Sequence, residues 1–201
     1  MKKQEAIYRE ILYQSIEKKE FNLTQSELSK KLGISLSNIN LVVKKLALIG
    51  ALKINPRNFH ILNIKKILLL WASLRNIEKD IIYRARINLP VKEIERLMPN
   101  ITFTAYTAYK YAFDDIPSDY SEIYVYCSEQ ELEEIKKRIA KLKTGENNPN
   151  FFVLKKDNLL KLYDKLPLSQ IFVDLWNLKE WYAHEFLSSF EEKLNQGEDK
   201  A

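Results

Sequence analysis

Apolar residues recur at helical spacing through the first third of the chain. Ile7, Ile11, Leu12 and Ile16 share one face of a helix expected over residues 4–18. Leu28 and Leu32 face inward from a second helix. Thr24 and Glu27 stand three apart at its start as a capping box, and Gly33 ends it. Ile39, Val42, Val43, Leu46 and Ile49 form the inward face of a third helix over residues 36–49, with Ser35 as its cap and Gly50 closing it. The period then changes. Residues 51–54 and 59–62 read as short strands around the turn Asn55-Pro56-Arg57-Asn58. A fourth apolar helix follows over 63–75.

Two short helices across a glycine turn, then a hairpin, are the pattern of a winged helix-turn-helix. That fold sets its second helix in the major groove of DNA. The expected first domain is therefore residues 1–76. Beyond it, strands and helices alternate. Strands are expected at 81–87, 122–127 and 151–154. Helices are expected at 90–98, 104–113 and 129–143, in a short turn capped by Asp157, and at 169–176 and 179–194. Residues 144–150 read as a loop. In the strand at 122–127, Ile123 and Val125 take one face and Tyr124 and Tyr126 the other. The expected fold is α+β: an N-terminal winged helix-turn-helix, a C-terminal mixed α/β domain over 77–195, and a flexible tail at 196–201.

Charge sharpens this division. The net charge is +5, but residues 1–66 hold 13 Lys or Arg against 5 acids, and residues 67–201 hold 19 against 22. Between residues 21 and 66, eight basic residues face Glu27 alone. A local excess of that size suits a polyanion such as double-stranded DNA. Apolar residues make up 46% and charged residues 29%, a globular composition. The longest apolar run, Ile67 to Ala72, is too short for a bilayer, and the N-terminus lacks the apolar core of a signal peptide. A cytoplasmic protein without membrane contact is expected.

The inward face of the third helix leaves Ser37, Asn38, Asn40, Leu41, Lys44 and Lys45 pointing outward. Asn and Ser can hydrogen-bond base edges, and the two lysines, a turn later, suit phosphates. Ser35 and the first-turn amides can hold a phosphate oxygen. Arg57 stands in the hairpin turn with Lys53 and His60 nearby, placed for a minor groove or the backbone.

Catalytic chemistry is harder to assemble. His60 and His184 lie in different expected domains and lack metal-ligand spacing. Cys127, the sole cysteine, reads as a buried structural thiol. The four glycines are scattered and make no phosphate loop. Asp114-Asp115 read as a helix-ending loop, and His184 as helix packing. Asp174 lies on an apolar helix, where a buried hydrogen bond or an interface role fits. Tyr106, Tyr109, Tyr111, Tyr120, Tyr124 and Tyr126 read as an aromatic core or dimer surface before a base-stacking platform. No catalytic residue, metal site or cofactor is expected.

The stretch Gly33-Ile34-Ser35-Leu36-Ser37-Asn38-Ile39-Asn40, leading to Lys44-Lys45-Leu46 and Gly50-Ala51-Leu52, resembles the MarR-type winged-helix regulators. The resemblance suggests Ser37, Asn38, Asn40, Leu41 and Lys44 as groove-facing positions. The remainder resembles archaeal members of the AbiEi-type antitoxin family, regulators of type IV abortive-infection systems. It does so through Phe103-Thr104-Ala105-Tyr106-Thr107-Ala108-Tyr109, Ile123-Tyr124-Val125-Tyr126, Val173-Asp174-Leu175-Trp176, Trp181-Tyr182-Ala183 and Phe186-Leu187. This implies an autorepressor of its own operon, with a nucleotidyltransferase-like toxin as partner; the helix-turn-helix spacing and the basic N-terminal half lead to the expectation of a homodimeric regulator. The order around residues 104–127 is also similar to a reduced nucleotidyltransferase core. Thr104-Ala105 stands where active members carry Gly-Ser, and Tyr124-Val125-Tyr126 where they carry paired acids, which implies loss of the magnesium site. A second reading therefore makes this C-terminal domain chiefly a binder of a protein partner or small ligand.

Overall fold

The computed structural model describes residues 3–98, 101–146 and 148–198. It is a mixed α+β chain of two compact units. One comprises residues 1–75 with 167–173, and the other comprises 76–166 with 174–201. The return of residues 167–173 to the first unit is absent from the linear division at 76/77.

In the first unit, α1 (Lys3–Ile16) is the central helix and packs against the third and fourth helices. Ile7, Ile11 and Leu12 are fully buried, as their spacing predicts. The polar side of the helix is buried as well. Glu5 accepts from Trp71 Nε1 at 3.2 Å and pairs with Arg75 at 3.5 Å. Arg9 Nη1 donates to Gln170 at 3.3 Å, and Lys31 pairs with Glu10 at 2.7 Å. Buried charges persist only with such partners. At the end of α1, Glu17 Oε1 accepts the Leu168 N–H at 2.7 Å, while Oε2 is buried with no hydrogen-bond partner. The helix stops at Ile16, two residues before its expected end.

A two-residue strand, β1 (Asn22–Leu23), precedes α2 (Gln25–Leu32) and α3 (Leu36–Leu48). β2 (Leu52–Ile54), β3 (Phe59–Ile61) and α4 (Ile64–Leu74) follow. The sheet order is β1-β3-β2, antiparallel throughout, with Lys53 opposite His60 and Leu23 opposite Phe59. Asn63 caps α4 by accepting from Lys66 N at 2.8 Å.

The second unit runs β4 (Ile81–Ala85), α5 (Val91–Leu97), β5 (Thr102–Thr104), α6 (Ala105–Phe113), β6 (Ile123–Cys127), α7 (Glu129–Ile139) and β7 (Phe151–Lys155). Its sheet has the order β4-β7-β6-β5, with β6 and β7 parallel and the outer pairs antiparallel. A parallel pair needs a crossover, here through α7. Ser128 and Glu131 form a capping box at the start of α7. One face of the sheet packs Ile123, Val125, Cys127, Phe151 and Val153 against Ile94 and Met98 of the α5 segment and Ile135 and Ile139 of α7. Every residue of β6 is buried. A strand covered on both faces loses the alternation of apolar and polar residues.

The chain ends in α8 (Leu168–Trp176) and α9 (Ala183–Glu198). Several boundaries differ from expectation. β4 ends at Ala85, and Ile87 instead makes an isolated bridge to Thr144. Asn150 pins Ile87 through both backbone groups, at 2.8 and 3.1 Å. α7 stops at Ile139, four residues early. β7 reaches Lys155, and Asp157 caps a 3₁₀ turn over Asn158–Leu162. α9 begins at Ala183 and continues through Glu198, so helix replaces the start of the expected tail. Residues 199–201 of that tail, and residue 147 of the expected loop, lie outside the described residues.

Candidate nucleic-acid interface

Helices α2 and α3 are locked together locally. Thr24 Oγ1 accepts from Glu27 N at 3.1 Å and donates to the Glu27 carboxylate at 2.8 Å. The reciprocal contact thus runs through the Thr24 hydroxyl. Gly33 takes the left-handed conformation (φ 62°) that a side chain adopts reluctantly, and ends α2 there. Ser29 Oγ donates to Ile34 O at 2.7 Å across the turn. Asn40 Nδ2 donates to Gln25 Oε1 at 3.1 Å, tying α3 back to the first residue of α2.

This last bond changes the expected role of Asn40. It is half-buried and engaged within the unit, not presented as a groove-facing reader. Asn38 is also half-buried, and its Nδ2 donates to Ser35 Oγ at 3.0 Å. Ser35 holds the N-cap position but makes no side-chain cap bond, so its expected capping role is corrected. Ser37, Leu41 and Lys44 are exposed, and Lys45 is half-buried. Ile49, expected inside, is 38% exposed, because α3 ends at Leu48 and Ile49 is the C-cap residue beyond it. Lys66 Nζ donates to Ile49 O at 2.9 Å, placing a cation at the helix C-terminus.

The hairpin lies next in the chain. Asn55 N donates to Asn58 O at 2.8 Å, and their side chains bond at 2.9 Å, closing the turn around exposed Pro56 and Arg57. Lys53 is exposed on β2. His60 is held to β1, its Nδ1 2.9 Å from Asn22 Oδ1. The eight predicted residues therefore separate. Ser35, Ser37, Leu41, Lys44 and Arg57 are exposed and Lys45 is half-buried, while Asn38 and Asn40 are half-buried with bonds to Ser35 and Gln25. Leu48, 88% exposed, extends the outward face, and Leu36, the first residue of α3, is 53% exposed although its spacing puts it on the side of Ile39 and Val43; neither stood among the predicted site residues. For Leu48 the helical period was the available signal.

Polar groups in the second unit are arranged differently. Asp174 is fully buried and accepts from Thr104 Oγ1 and Tyr126 OH, both at 2.7 Å. Tyr106 is fully buried among Tyr120, Tyr182 and Phe186, at ring distances of 5.4, 5.3 and 4.9 Å. Its hydroxyl donates to Glu180 at 3.2 Å. Burial pushes the Tyr106, Tyr120 and Tyr124 phenols well up, and the Tyr182 phenol to about 12. Tyr111 differs, at 60% exposure. Burial also raises the Cys127 thiol to about 11, an unreactive state. Asp114 is the left-handed C-cap of α6, and Asp115 pairs with Lys193 at 2.9 Å, which lowers its pKa. His184 is exposed on α9, so the packing role expected of it is corrected. Among the described residues, no group of three or more His, Cys, Asp or Glu could hold a metal ion, and no helix is long and apolar enough to cross a membrane.

A scan against protein-family models finds no match, and no curated protein or solved structure matches the chain.

Proposed function

We propose that the chain is a sequence-specific DNA-binding transcriptional regulator without enzymatic activity, its first unit a winged helix-turn-helix. In this reading α2 and α3 are the helix-turn-helix, α3 enters the major groove, and the β2–β3 hairpin is the wing. One observation carries it. The outward face of α3 exposes Ser37, Leu41 and Lys44 within a stretch whose eight basic residues meet Glu27 alone. A surface of that charge favours phosphates and gives binding a strong salt dependence.

The protein is then a homodimer that represses its own operon in an antitoxin-like manner, with a nucleotidyltransferase-like toxin as the partner of its second unit. Trp181, 75% exposed, and Trp176, 44% exposed, favour a protein-binding role there, since exposed tryptophans often anchor interfaces. The variant of this reading that makes the second unit a catalytically reduced nucleotidyltransferase-like binder of a protein or small ligand rests on the same residues.

The deciding experiment is binding to duplex DNA from upstream of the gene, against random duplex, at two salt concentrations. The expected result is selective binding. Lys44→Ala and Lys45→Ala should each weaken it across all sequences and reduce the salt slope by about 1. Equal binding to both duplexes by every form rules the regulator out.

A further inference from the structure

We propose that Leu41 reads the 5-methyl group of thymine, so that the DNA site this protein prefers carries a T·A pair beneath the middle of α3. The inference rests on the DNA-binding reading above and deepens it. Leu41 is 58% exposed, whereas the apolar residues of the opposite face, Ile39, Val42, Val43 and Leu46, are at most 1% exposed. It therefore supplies little to the core. Its neighbours one turn away on either side, Ser37 and Lys44, are exposed too, so Leu41 stands at the centre of the outward stripe.

The amides beside it are already engaged, Asn38 with Ser35 and Asn40 with Gln25. The middle of the stripe thus presents hydrocarbon, with bonded amides on its flanks. The thymine C5-methyl is the apolar group that base edges display in the major groove, and leucine has no donor or acceptor for any other edge. Exposed leucine also suits a protein partner. Lys44 and Lys45 on the same helix, within a stretch over residues 21–66 where eight basic residues meet Glu27 alone, decide for a polyanion.

The full-length protein is used to select a site from a random duplex pool. That site is then resynthesised with deoxyuridine replacing each thymine in turn, which removes one methyl group and keeps every hydrogen bond. The wild type should lose about fourfold in affinity at one position per half-site, the effect of one buried methyl-sized group. Leu41→Ala should ignore that replacement while keeping its melting temperature, since Leu41 is exposed. Leu48→Ala, at the far end of the stripe, should remain sensitive. Selective binding untouched by every uracil, or an equal loss in Leu41→Ala, overturns the inference and leaves DNA binding intact. Absence of selective binding to any duplex overturns both.

Discussion

Ser37 on α3 and Tyr126 on β6 both carry hydroxyl groups, and their surroundings could hardly differ more. Ser37 is exposed beside Leu41 and Lys44. Tyr126 is 3% exposed and donates to Asp174, which also takes the Thr104 hydroxyl. The contrast extends to the regions around them. The α3 face leaves side chains available to something outside the molecule. The aromatic side of the second sheet spends its polar atoms internally, with Tyr124 stacked on Phe152 at 4.6 Å and Tyr106 bonded to Glu180. A buried polar group must be satisfied where it sits, so its identity reports on folding. An exposed one is free of that demand, and its identity is informative about partners.

Substitutions can break or sharpen this contrast. The largest effect should come from Asp174→Ala, which leaves two buried hydroxyls without their shared acceptor. A loss of about 4 kcal/mol in urea unfolding is expected, and a loss below about 1 kcal/mol would mean the buried network is not structural.

Glu17 comes next, because it places a carboxylate with one unpartnered oxygen inside the first unit. Burial raises its carboxyl from the ordinary 4.5 to about 7. The unfolded chain gives up this proton near pH 4.5, and the folded chain keeps it until about 7. The stability carried by protonated Glu17 is therefore complete below the lower value, falls as pH rises, and is gone above the higher one. Glu17→Gln keeps an acceptor for the Leu168 N–H and never ionises. At pH 8 it should unfold later than the wild type by about 2–3 kcal/mol, and at pH 4 no later. A constant difference across that range would remove titration as the cause.

The smallest effect separates two neighbouring amides. Asn40→Ala breaks the bond to Gln25 and should cost about 1 kcal/mol of stability. Asn38→Ala breaks only the exposed bond to Ser35 within the first turn of α3 and should leave the melting temperature in place. Equal melting shifts would erase the distinction between them.

Much of the first unit was legible in the chain. Thr24, Gly33 and Gly50 punctuate helices whose buried residues, Leu28, Leu32, Ile39, Val42, Val43 and Leu46, follow the expected period. The candidate site was legible only by direction. Spacing placed Asn40 outside the core, but a bond to Gln25, fifteen positions away, engages it. In the second unit β5 went unforeseen, as did β1 in the first. Strands of two or three residues exist through pairing with β6 and β3, and local sequence carries little trace of a distant partner. His184 misled because apolar neighbours do not fix the direction of one side chain at the start of a helix.

The sequence by itself determined the α+β character, the helical period of α1 to α4, the basic first third and the absence of cysteine pairs, since each depends on residue type and local period. Only the tertiary structure decided that residues 167–173 return to the first unit. It alone placed Asp174 as the acceptor of hydroxyls 70 and 48 positions away, and it divided the outward face of α3 into engaged and available side chains. Such contacts join residues far apart along the chain, where geometry after folding, and no periodic pattern before it, decides which atoms meet.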